Sequence, residues 1–149
     1  MKGKVSLFLG LLFISAMFAG GYASPKKEEG KGKEVVHFKD NISILINITT
    51  DKGQNPVMAL NFAMTSLKRG NETIVWLNSE GVKLADAKAK PTPAVNQLKE
   101  FIKQGGLVFV CPRCAEQFKV KELVQGAEFA SPELIFGILS EERVRILNW

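Results

Sequence analysis

The only two cysteines of the chain stand three residues apart, as Cys111-Pro112-Arg113-Cys114. A thiol pair at this spacing can pass between dithiol, disulfide and mixed-disulfide forms, because the second sulfur reaches whatever the first one binds. The apolar run Leu107-Val108-Phe109-Val110 leads into the pair after Gly105-Gly106, and Ala115-Glu116-Gln117-Phe118, of helical composition, follows it. The run reads as a buried strand and the pair as the handover from strand to helix. With Cys111 just before the helix and Pro112 in its first turn, the free amides and the helix dipole favour a thiolate at Cys111. Arg113 adds positive charge beside it. Cys111 is therefore the expected nucleophile and Cys114 the resolving thiol.

Competing chemistries are weaker. A purely structural disulfide would close so short a loop that it would remove little entropy from the unfolded chain. Zinc and iron–sulfur sites take about four ligands, and beyond the cysteines the chain offers one histidine, His37, read as an ordinary strand residue. No metal and no cofactor are expected, with copper held by two thiolates, or a site shared between subunits, left open. Met58 and Met64 fall on a helix and read as core filler. Dinucleotide and phosphate-loop glycine motifs are absent, as is a second histidine for a hydrolytic triad. Asp51, Glu80 and Asp86 read as solvated loop acids near the thiols. Three Asn-X-Ser/Thr matches, at Asn41, Asn47 and Asn71, read as chance.

The elements that must position the pair alternate along the chain. Ser43–Ile48 is a nearly continuous apolar strand, as in a parallel sheet covered on both faces, followed by the polar loop Thr49–Gln54. A helix is expected over 56–69, with Asn55 as N-cap, Pro56 at its first position and an apolar face of Val57, Leu60, Met64 and Leu67 with Ala59 and Ala63 beside them. Thr73–Leu77 is the second strand and 78–84 a loop. Thr92 caps a helix opened by Pro93, with Val95, Leu98, Phe101 and Ile102 buried. The strand 107–110 and the cysteine motif come next, then a segment 121–130 without a clear element. Ser131-Pro132 starts a helix through Leu139, and Val144–Leu147 closes as a strand. Such alternation implies right-handed crossovers and a three-layer α/β/α sandwich with a mainly parallel sheet. In open sheets of this kind working groups gather at the C-terminal ends of the strands. That edge holds the loops after the first two strands and the cysteines.

The 149 residues suffice for one domain. Lys2 and Lys4, then an apolar block from Val5 to Ala19, then Gly20-Gly21-Tyr22-Ala23, read as a secretory signal peptide over 1–23 with a cut before Ser24. Fifteen apolar residues fall short of the roughly 20 that span a bilayer, so no stable membrane insertion is expected after cleavage. Residues 24–40 form a charged linker and lead-in, including Val35-Val36-His37-Phe38 as a short strand or extended stretch. Its lysines are interrupted by glutamates, and the net charge of the whole chain is only +5, so no nucleic-acid partner is expected.

Residues 41–149 resemble the DsrE family of sulfur-handling proteins. The resemblance rests on Ile44-Leu45-Ile46 before a polar loop and helix, and on Ile74-Val75-Trp76-Leu77 followed by Glu80-Gly81-Val82-Lys83-Leu84. It continues through Leu107 to Ala115, Gly126-Ala127-Glu128 and the closing Val144–Trp149. It implies a three-layer fold, homo-oligomers, and a persulfide-bearing cysteine at the position of Cys111. The arginine-glycine pair common in the family is replaced by Phe118-Lys119. The expectation is an exported, periplasmic or cell-envelope sulfur carrier or sulfurtransferase-like protein, served by sulfur donor and acceptor proteins or small thiols. Its alternatives are a cell-envelope thiol-disulfide oxidoreductase and an oligomeric module with a structural disulfide.

Overall fold

A computed structural model describes residues 42–149. The expected signal peptide, the expected linker and His37 lie outside them. Five strands, β1 (Ser43–Ile48), β2 (Glu72–Leu77), β3 (Leu107–Val110), β4 (Ala127–Phe129) and β5 (Val144–Asn148), form one sheet in the order β4-β3-β2-β1-β5. All four pairings are parallel. Helices α1 (Asn55–Lys68), α2 (Pro93–Lys103), α3 (Pro112–Gln117) and α4 (Pro132–Ser140) connect them.

The chain steps outward from β1 through β2 and β3 to β4, then returns across the sheet to place β5 on the other side of β1. Right-handed crossovers in opposite directions put their helices on opposite faces. Accordingly α1 and α2 pack on Ile44, Ile46, Ile48, Val75, Leu77 and Val108. Ile135 and Leu139 of α4 lie by Leu45, Trp76 and Ile146 on the other face. The three-layer expectation holds.

The buried stripe of α1 is centred on the alanines expected only at the side of its apolar face. Ala59, Leu60 and Ala63 are fully buried, whereas Val57, Met64 and Leu67 are only partly so and Met58 is exposed. Alanines let this helix lie close to the sheet, and the larger neighbours are pushed to the flanks. The helix also begins one residue early: Gln54, in a helical conformation and without a side-chain cap, replaces Asn55 as N-cap. The other caps form as expected. Thr92 Oγ1 accepts the Val95 amide at 3.2 Å and Ser131 Oγ the Leu134 amide at 3.2 Å. Two further differences concern the working edge. The expected loop after β2 is a 3₁₀ helix, Ser79–Ala85, and the unassigned segment 121–130 contributes the edge strand β4.

Candidate functional site

Cys111 extends the β2–β3 ladder by one bond, its amide donating to the Leu77 carbonyl at 2.9 Å. The chain then turns into α3, and the Cys111 sulfur becomes the helix N-cap, accepting the Cys114 amide at 3.4 Å. Pro112 fills the first helical position, where its missing N–H costs nothing. The helix is short because Lys119 adopts a left-handed backbone (φ +60°). Both cysteines are partly buried thiols packed against the core, and Arg113 is exposed. The backbone therefore brings the two sulfurs to one turn and leaves Arg113 at its rim.

The thiol of Cys114 is pushed up by burial first and then by its hydrogen bond to Cys111, against a backbone hydrogen bond from Ser79 that pulls it down. Cys114 thus keeps its proton while it faces the Cys111 sulfur. That asymmetry suits an attacking thiol at Cys111 and a second thiol held in reserve.

The three strand-end segments do meet. Asn78 and Gly81 donate their amides to the Ile48 and Thr49 carbonyls, each at 3.2 Å, seating the 3₁₀ helix on the end of β1. Ser79, left-handed at φ +46°, starts that helix against Cys114. Asp51 and Glu80, read from sequence as solvated acids, instead belong to an ion-pair cluster. Lys83 Nζ lies 3.7 Å from Asp51 and 3.4 Å from Glu80, and Lys52 pairs with Glu80 at 3.2 Å. Those lysines, Lys52 foremost, hold the Glu80 carboxyl below its ordinary range. Asp86 is apart from them, accepting the Lys88 amide in a local turn.

An amide row lines the same edge. Asn78 Nδ2 donates to Asn47 Oδ1 at 2.6 Å, and Asn47 Nδ2 to Asn148 Oδ1 at 2.9 Å, crossing β2, β1 and β5. Sequence reasoning missed these residues, together with Ser79, Lys83 and Phe118. The recurrence of asparagine at or just beyond three strand ends was the available signal. Among the described residues no group of three or more His, Cys, Asp or Glu is placed to hold a metal. A cleft bounded by Lys99, Ile102, Lys103, Leu123 and Val124 contains neither thiol.

The fold and the site define the class: a doubly wound parallel α/β protein with a thiol pair just past the end of the inner strand β3. Within that class the chain belongs to the DsrE/DsrF-like family, whose model matches residues 40–143. The family is associated with sulfur relay. An uncharacterized protein of Methanocaldococcus jannaschii is 33% identical over an alignment of 88 residues that covers 56% of this chain and 77% of that protein. The crystal structure of the ychN protein from E. coli is similar in fold, with a TM-score of 0.60 at 18% identity, covering 72% of this chain and all of that one.

Proposed function

We propose that this protein is an exported sulfur carrier in which Cys111 accepts a sulfane sulfur and Cys114 discharges it. The observation that carries the reading is the Cys111 sulfur at the head of α3, capped by the Cys114 amide, beside a second thiol that stays protonated. The Cys111 thiolate attacks the outer sulfur of a persulfide donor. A new S–S bond forms at Cys111, the donor's S–S bond breaks, and the donor leaves as a thiolate, with no net oxidation. An acceptor thiolate can then take that outer sulfur and release Cys111. Alternatively Cys114, once deprotonated, attacks the Cys111 sulfur and expels hydrosulfide. The carried sulfur is thereby reduced, the thiols are oxidised to a disulfide, and an external dithiol must regenerate them. Arg113 lies where it can attract an anionic donor.

The donor and acceptor are proteins or small thiols, and the carrier acts as a homo-oligomer after loss of residues 1–23. No helix among the described residues is long and apolar enough to cross a membrane. Intact mass after incubation with polysulfide should rise by whole sulfur atoms in the wild type and not in Cys111→Ser. Failure of the wild type to gain sulfur under any reducing condition would overturn the reading. N-terminal sequencing of exported protein should begin at Ser24.

The second thiol supports one other reading, a cell-envelope thiol-disulfide oxidoreductase. A reduction potential near −120 to −200 mV would favour it, and one below about −300 mV would favour an inert bridge.

A further inference from the structure

The 3₁₀ helix touches α3 near both of its ends. The Ser79 backbone acts on the Cys114 thiol near the start, and the Lys83 ammonium lies 4.7 Å from the centre of the Phe118 ring at the C-cap. We infer that Lys83, held by Asp51 and Glu80, is a positioning residue that sets the orientation of the cysteine helix and so the reactivity of Cys111.

Lys83 is two-thirds covered, with 32% of its side chain exposed, and it joins three segments: the loop after β1 through Asp51, its own helix through Glu80, and α3 through Phe118. Asp51 Oδ1 is buried and has no hydrogen-bond partner among the described residues. The ammonium at 3.7 Å, longer than a hydrogen bond, is the positive charge paired with it. A buried carboxylate oxygen left without that charge is costly, so Lys83 is fixed from below while its ammonium faces the aromatic ring. Phe118 in turn closes α3, its amide donating to the Cys114 carbonyl at 2.9 Å. A helix of six residues has little internal cohesion, and tertiary contacts must hold it. Tilting α3 would carry the Cys114 amide away from the Cys111 sulfur, which would lose that hydrogen bond and its fixed place at the head of the helix.

This inference rests on Cys111 being the reactive thiol of the proposed carrier, but its test does not need sulfur loading. Lys83→Met keeps the aliphatic stem and removes the charge, Lys83→Arg keeps both the charge and the stacking, and Phe118→Leu removes the ring alone. The folded, reduced proteins are treated with iodoacetamide at neutral pH, and equilibrated with glutathione, with the modified cysteine identified by peptide mass. Lys83→Met and Phe118→Leu should alkylate at Cys111 about two- to fivefold more slowly than wild type, the range a helix-terminus interaction supports. Lys83→Arg should match wild type, and the glutathione equilibrium should move in the two impaired variants only. Unchanged alkylation and redox equilibrium in Lys83→Met, whatever its thermal stability, would overturn the inference. If Lys83→Met does not fold, Phe118→Leu and Asp51→Asn decide by the same two readouts. A wild type that accepts no sulfur yet shows this pattern would discard the carrier reading and keep the clamp.

Discussion

Burial and the hydrogen bond to Cys111 both favour the protonated form of Cys114, and the backbone bond from Ser79 only partly offsets them. A folded state that raises this group holds the proton more tightly than the unfolded chain does. The resulting stability is complete below the ordinary thiol range of about 8.5 and is lost as pH rises through the folded value. Under reducing conditions the urea midpoint of the wild type should therefore fall on going from neutral to alkaline pH more than that of Cys114→Ser, which lacks the titrating group. Equal pH dependence in the two proteins would show that Cys114 is not perturbed. At neutral pH iodoacetamide should label Cys111 well ahead of Cys114. The thiol pair was legible in the sequence because spacing, Pro112 and the preceding strand are all local signals. The partners that tune it were not. Ser79 and Lys83 gain their roles from the packing of the 3₁₀ helix on α3, some thirty residues away along the chain, and no local pattern reports that.

Elements with a strong local signature formed as read: β1, β2 and β3 as apolar runs, α2 and α4 behind Thr92 and Ser131 with proline following. Those set by tertiary contact did not. β4 is a three-residue edge strand, too short to show a period, and it exists because β3 offers it a ladder. The 3₁₀ helix was read as a loop, yet it is among the most constrained parts of the edge. Gly81 is buried there, and a methyl group on it would run into the Ile48 carbonyl oxygen, which is backbone and cannot swing aside. Gly81→Ala should thus destabilise the fold by about 1–3 kcal/mol, the usual cost of overpacking. A lower urea midpoint at an unchanged m-value would show it. Because the displaced helix carries Ser79, alkylation of Cys114 should change in the same variant. A stable Gly81→Ala protein with native Cys114 reactivity would mean that the 3₁₀ helix moves without disturbing the thiols.

At the scale of the molecule, a parallel sheet needs cover on both faces, and here the cover is unequal. α1 and α2 bury one face completely, with Leu60, Leu98 and Phe101 inaccessible. The other face has α4, nine residues long, none of them buried. That helix is apolar on nearly every side: Ile135 and Ile138 are half-buried, while Leu134, Phe136 and Leu139 are exposed, Phe136 to 71%. Ile146 of β5, on the same face, is 50% exposed. A helix apolar all round is normally buried, and soluble monomers rarely leave such residues clustered in water. The proposed homo-oligomer gives this face its cover by placing the outer side of α4 at the subunit contact. Sedimentation should accordingly return a multiple of the monomer mass for the wild type. Phe136→Asp should sediment as a monomer with unchanged far-ultraviolet circular dichroism, because Phe136 contributes little to the core of its own subunit. A monomeric wild type would end the homo-oligomer reading. An unaltered assembly in Phe136→Asp would move the contact away from α4 and leave that face to another occupant.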